Sequence, residues 1–249
     1  MASTDESLGG VIFDLDNTLI DTRGADRLAF QEVRLLLIGH GLNSQIDSVL
    51  ASFSKRLAKE PSDPTGNLCS DKWRRNLWLA ALQEAVRRPE EQCQLLAKVC
   101  FEKWLQVRLA HLELLPATKE MLVRLRGDER LRLGLLTNGE ASTQRDKINA
   151  CACSRFFDAV CVAAELGAEK PLPAAYLQCC QRLDVLPRRT VMVGDSWECD
   201  ISGSLAAGLR SAIWVNPGDQ TPGPDMGGNQ GWHSIHHVLE AEALIKKML

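Results

Sequence analysis

Two carboxylates, Asp14 and Asp16, follow the apolar run Val11-Ile12-Phe13, and a hydroxyl, Thr18, comes two residues later. In an extended segment residues i and i+2 point the same way, so both acids can face one site. Paired acids at a strand end hold a hard cation or divide nucleophilic and proton-transfer work between them. Three further pieces join them: Thr137-Asn138-Gly139 behind the run 131–136, Lys170 before Pro171, and Gly194-Asp195 behind 190–193, with Asp200 close by.

Together these types suit phosphate-ester cleavage, a reaction so slow unaided that its catalyst can need to supply up to ~10²¹-fold. Asp14 is the expected nucleophile: a carboxylate with a reference pKa of ~3.9 is ionised at neutral pH, and attack on phosphorus would give an aspartyl-phosphate. Mg²⁺, which takes oxygen ligands, would draw carboxylate oxygens from Asp14 and Asp195 and the backbone carbonyl of Asp16. Lys170 would place positive charge against the phosphoryl oxygens, and Thr137 offers a hydroxyl. Backbone N–H groups around Leu15, Asp16, Asn17 and Asn138 are expected to form an anion nest. Asp16 would protonate the leaving oxygen and then activate water.

The elements that must position these residues alternate in kind. Short β-rich runs at 11–13, 131–136, 158–163, 190–193 and 211–215 are interleaved with helix-period segments at 117–126, 141–150, 173–184 and 198–207. That alternation predicts an α/β, Rossmann-like parallel sheet covered on both faces, with ligands beyond the carboxyl ends of the strands. From 22 to 115 the pattern is helical only, with helices expected at 26–38, 44–59, 71–87 and 90–110. This predicts a core of 1–21 and 116–249 carrying an inserted all-helical cap at 22–115, placed above the strand ends as a lid. Pro217–Gly231, rich in proline and glycine, reads as a loop, and a last helix is expected over 234–248.

Several residues carry blander readings. Asp200 is either an acid near the metal or the N-cap of the helix after it. Thr18 is expected to buttress the nucleophile loop through a hydrogen bond. Gly139 and Gly194 read as turn glycines needing unusual backbone angles. The basic run Arg124–Arg132 reads as solvated surface, His236-His237 as an exposed helix start, and Trp73, Trp78 and Trp104 as packing between cap helices.

The chain has 249 residues, 45% of them hydrophobic, enough for a sizeable core. Its net charge of −3 supplies no basic field to draw nucleic acid or an acidic membrane. No apolar stretch approaches the ~18 residues of a membrane span, and no basic-then-apolar leader opens the chain. With no such signal, its nine cysteines are expected as reduced thiols in the cytoplasm, mostly as small core hydrophobes. Five scattered histidines complete no zinc spacing.

The four pieces, in this order along the whole chain, resemble the phosphatase branch of the haloacid dehalogenase superfamily. That resemblance implies a Rossmann-like core with a helical cap. It implies Mg²⁺ held by Asp14, Asp16 and Asp195, and phosphate held by Leu15, Asn17, Thr137, Asn138 and Lys170. A narrower likeness within the branch runs through Phe13–Thr22, Leu135–Gly139, Thr143-Gln144-Arg145, Ala150-Cys151-Ala152-Cys153, and Val191–Asp195 with Glu198 and Asp200. It implies a small sugar-acid phosphate as substrate. A cationic cap residue should then meet the substrate carboxylate, with Arg23, Lys72, Arg74, Arg75 and Arg108 as candidates. Three alternatives compete: a phosphatase of another sugar or small-metabolite phosphate, a phosphosugar mutase, and a dehalogenase. A halide leaving group needs no acid, so Asp16 argues against the dehalogenase. A non-catalytic binding protein would have lost Asp14, Lys170 or Asp195, and all three are present.

Overall fold

A computed structural model describes residues 7–222 and 231–249. In chain order the elements are β1 (Gly10–Phe13), α1 (Thr22–Gly39), α2 (Ile46–Lys59), α3 (Ser70–Ala85), α4 (Glu90–Ala110), α5 (Pro116–Arg126), β2 (Arg132–Thr137), α6 (Ala141–Ala150) and β3 (Ala159–Val162). Then come α7 (Ala163–Leu166), α8 (Pro173–Leu183), β4 (Thr190–Gly194), α9 (Gly203–Ala206), β5 (Ser211–Val215), β6 (Trp232–Ile235) and α10 (Ala241–Met248). The chain divides into two compact units: the described residues through Asp21 together with Glu113–Leu249, and Thr22–Leu112.

The first unit is a six-stranded sheet in the order β3-β2-β1-β4-β5-β6, every pair parallel. β1, β4 and β5 are buried along their whole length, which is why they read as unbroken apolar runs rather than alternating ones. β1 lies between β2 and β4, where the strand order reverses, so the carboxyl ends of these three strands border the crevice that α/β sheets use for ligands. On one face α8 buries Tyr176, Cys179 and Leu183 against Ile12, Leu136 and Met192. Proline occupies the first turn of α5 and of α8, where the missing N–H costs no helical bond.

The second unit packs α1 on α4 and α3 on both α2 and α4. Its core centres on Phe53, stacked on Trp78 at 3.8 Å and met edge-on by Trp104 at 5.6 Å. Trp73 donates its Nε1–H to the Glu60 carbonyl at 2.9 Å, closing the end of α2.

Two expected helices differ. The segment 198–207 is a π-helical turn, Trp197–Ser202, followed by the short α9. The wider turn brings the Asp200 carboxylate back to the Ser196 N–H at 2.9 Å. The terminal helix starts later than expected: Trp232–Ile235 pairs with β5 as a sixth strand, and α10 begins only at Ala241. Between them His237 caps a short 3₁₀ turn in a capping box with Glu240. Of the expected loop Pro217–Gly231, residues 223–230 lie outside the described residues. All nine cysteines are free thiols, seven of them buried. Among the described residues no helix is long and apolar enough to cross a membrane.

Candidate active site

β1 ends at Phe13, and the Asp14 N–H donates to the Val193 carbonyl at 2.9 Å, so the acid is pinned between two central strands. Its carboxylate is buried, and the ammonium of Lys170 donates to Asp14 Oδ1 at 2.7 Å. The same ammonium reaches Asp200 Oδ1, also at 2.7 Å, so one buried cation lies between two buried carboxylates. Desolvation pushes the Asp14 carboxyl up to about 7; Lys170 opposes this and the Asp200 and Asp16 charges add to it. Lys170 itself moves upward: burial pulls it down, but Asp14 and Asp200 outweigh that and keep it charged.

Asp195 follows β4 directly. The indole N–H of Trp214, its neighbour strand's residue, donates to the Asp195 carbonyl at 2.9 Å. Oxygens of Asp14, Asp195 and Asp200 lie within 4.8 Å of one another. Three carboxylates converging at one point are a hard, anionic donor set of the kind that suits Mg²⁺. Residues and ion therefore fit.

The two readings of Asp200 are now separated. Ser196, not Asp200, caps the following turn, its Oγ accepting from the Cys199 N–H at 3.2 Å. Gly194 has a role other than the one expected. It lies in a strand at ordinary angles, but a Cβ there would overlap the Asp200 carboxylate. Gly139 does need its freedom, at φ +114°.

Asp16 turns to a second set of partners. Lys147 Nζ lies 2.8 Å from each of its carboxylate oxygens, and Gln144 Nε2 lies 3.0 Å from Oδ2. Gln144 also donates to Thr137 Oγ1 at 3.1 Å and to the Asn138 carbonyl. Asn138 joins the two clusters: its Nδ2 donates to the Lys170 carbonyl at 2.7 Å, and its Oδ1 accepts from the Lys170 N–H at 2.9 Å. Thus Asp14, Asp16, Thr137, Asn138, Lys170, Asp195 and Asp200 belong to one connected arrangement. Gln144 and Lys147 escaped the sequence reading as site residues. Their signal was present: two polar residues at i and i+3 share a face of the helix that starts behind Thr137-Asn138-Gly139.

Two expectations on the first loop are corrected. The Asn17 N–H does not point into an anion nest; it donates to the Ile20 carbonyl at 2.8 Å, with Asn17 in the left-handed region at φ +60°. Leu15 is buried, and its carbonyl accepts from Leu19 and Ile20, which closes the turn. The Thr18 hydroxyl is buried without a hydrogen-bond partner among the described residues, so it braces the loop by packing alone.

Within the helical unit, Arg23 and Lys72 are exposed and Arg75 is half-buried. Arg74 and Arg108 are buried beside one ring, their guanidinium carbons 5.9 and 5.2 Å from the Trp104 centroid. Arg108 also donates to Asp26 at 2.6 Å. His236 is exposed and pairs with Asp219, and among the described residues it belongs to no cluster of metal-ligating side chains.

The profile of the haloacid dehalogenase-like hydrolases matches residues 8–208. Human N-acylneuraminate-9-phosphatase is 39% identical over 244 residues, covering 96% of this chain and 94% of that protein. A glyceraldehyde 3-phosphate phosphatase of Methanothermobacter thermautotrophicus is 30% identical, covering 84% of this chain and 86% of its own. Among solved structures, a 2-haloacid dehalogenase from Pseudomonas syringae pv. Tomato superposes with a TM-score of 0.67 at 27% identity, over 97% of this chain and all of that one.

Proposed function

From the premise that this chain belongs to the haloacid dehalogenase-like hydrolase family and is a phosphatase, we propose that it hydrolyses N-acylneuraminate 9-phosphate to N-acylneuraminate and phosphate, with Mg²⁺, through an aspartyl-phosphate on Asp14. The likeness to the human enzyme over nearly the full length of both chains supports the substrate. The observation that carries the mechanism is Asp14 at 2.7 Å from the Lys170 ammonium and within one 4.8 Å cluster with Asp195 and Asp200.

On this reading each residue has a role. Asp14 attacks phosphorus, and Lys170 faces the phosphoryl charge from a position locked by Asp200 and Asn138. Thr137, Asn138, Leu15 and Asn17 hold the remaining phosphate oxygens, Asn17 through groups other than its committed N–H. Asp14, Asp195 and the Asp16 carbonyl are the ion's ligands, with Asp200 beside them. Bound there, Mg²⁺ supplies the positive charge that lets an anionic ester approach a carboxylate. Asp16 gives its proton to the leaving oxygen and takes one from water in the second half. The helical unit serves as the substrate-selecting cap, and Arg74 and Arg108 are its cations best suited to a carboxylate, since both lie against Trp104, whose buried N–H lacks an acceptor among the described residues. Nine free thiols favour a reducing, cytoplasmic setting.

The deciding experiment measures phosphate release with Mg²⁺ from N-acetylneuraminate 9-phosphate, hexose phosphates, 2-phosphoglycolate and nucleoside monophosphates, with Asp14→Asn in parallel. The expected outcome is strong preference for the nine-carbon acid, abolished in the variant. Turnover spread across the panel would discard the substrate and keep the phosphatase; transfer of phosphate between sugar positions would indicate a mutase.

A further inference from the structure

The group that must move the proton is not held by the residues that hold the nucleophile. Asp16 is gripped from α6. The Lys147 side chain is 7% exposed, and its ammonium donates to both Asp16 oxygens. One turn earlier on the same face, Gln144 donates to Asp16 Oδ2. We propose that Lys147, assisted by Gln144, is the positioning residue for Asp16, fixing its carboxyl in the one orientation from which the leaving oxygen can be protonated. This rests on the phosphatase reading above.

Three observations carry it. The grip is directional. Lys147 donates to both carboxylate oxygens and Gln144 to Oδ2, while the Asp16 side chain keeps 24% exposure, so it stays reachable. The Gln144 amide is oriented as well. Its NH₂ faces Asp16, Thr137 and the Asn138 carbonyl while its Oε1 is buried without a partner among the described residues, and reversing it would set oxygen against carboxylate and carbonyl. Finally, a buried ion pair is weak evidence of stabilisation, because desolvating both charges offsets their attraction. A buried lysine beside the nucleophile loop is better accounted for by orientation than by stability.

The chemistry sets where the effect must show. In the first step the bond between phosphorus and the alcohol oxygen breaks, its electron pair stays on that oxygen, and the proton of Asp16 joins it. In the second, water oxygen bonds phosphorus, its proton returns to Asp16, and the bond from phosphorus to Asp14 breaks. A primary alkoxide cannot leave without the proton, whereas p-nitrophenolate can. Lys147 should therefore matter for alkyl esters and hardly at all for the aryl ester.

The test uses the Mg²⁺-loaded enzyme with p-nitrophenyl phosphate and with the best alkyl phosphate of the panel. Lys147→Met is expected to lower kcat on the alkyl ester about 10²-fold, the lower end of general acid–base contributions, with KM little changed and aryl turnover within about fivefold. Lys147→Arg should restore most alkyl turnover. In an Asp16→Asn background, Lys147→Met should cost nothing more on the aryl ester. Gln144→Ala, which keeps the ammonium, should show a smaller loss with the same selectivity, and it serves if Lys147→Met does not fold. Equal loss on both esters, or a further loss when Asp16 is already Asn, would overturn the proposal. A wild type that releases phosphate from neither ester overturns the phosphatase reading itself, a result independent of any Lys147 variant.

Discussion

Asp14 is the residue at which chemistry and stability conflict. Burial holds its carboxyl up to about 7 against an unfolded value near 3.8. A carboxyl raised in the folded state binds more protons folded than unfolded, so its contribution to stability is fully present below about 4 and is lost as pH rises through about 7. Metal-free Asp14→Asn should therefore unfold at higher temperature than the wild type. The gap should be small at pH 5 and reach on the order of 2–4 kcal/mol at pH 8. Urea or thermal unfolding at both pH values checks it, and a gap that narrows with pH would sink it. Gly194→Ala tests the neighbouring contact. Its Cβ would overlap the Asp200 carboxylate, so phosphate release should fall sharply and stability by about 1–3 kcal/mol, as overpacking does. Asp14, Asp16, Lys170 and Asp195 were legible in the sequence because their types and their places behind apolar runs have chemical meaning without coordinates. Asp200 was legible as an acid of the site, but not its ion pair with Lys170, 30 positions away; Gln144 and Lys147 were not read as site residues, since each gains its role from Asp16, 128 and 131 positions away, which only the folded chain brings near.

At the level of elements, the sheet delivers the acids and its flank steadies them. The indole N–H of Trp214 in β5 holds the Asp195 carbonyl, and Trp197 and Trp232 pack beside it at 4.9 and 6.3 Å from Trp214. Trp214→Phe keeps an aromatic ring, smaller than the indole, and removes that donor. A hydrogen bond of this kind contributes about 0.5–1.5 kcal/mol net, so Mg²⁺ affinity should weaken by about threefold to tenfold while the fold is retained. Titration calorimetry would read it, and unchanged affinity would show that the indole does not steady the loop. Elements with a single strong period were readable beforehand: β1, β4 and β5 as unbroken apolar runs, α1 to α4 by their helical stripe. β6 was not, because Trp232–Ile235 is four residues long with two of them exposed, and edge pairing rather than composition makes it a strand. Nor was the π-helical turn at Trp197–Ser202, whose geometry answers to Asp200 rather than to any local preference.

At the scale of the whole molecule, two units with separate cores lie in one chain. Trp78 is fully buried in the helical unit, stacked on Phe53. Trp78→Ala should cost about 3–5 kcal/mol, the range for a large aromatic removed from a core. Hydrogen exchange should quicken at amides of 22–112 and leave β1, β2 and β4 protected. Equal quickening in those strands would mean that the two cores unfold as one. The order of the strands bears on how the protein is made. β1 is synthesised first, yet both its neighbours, β2 and β4, lie beyond the whole helical insertion. On the ribosome its apolar residues must wait, both edges unpaired, while Thr22–Leu112 emerges and condenses on local contacts. Only when Thr190–Gly194 has been made can the central strand close, and pairings so distant in sequence form slowly. Newly made chains are therefore at their most aggregation-prone after the helical unit has folded and before β4 is complete. A cell that makes this protein in quantity needs its holding chaperones in that interval.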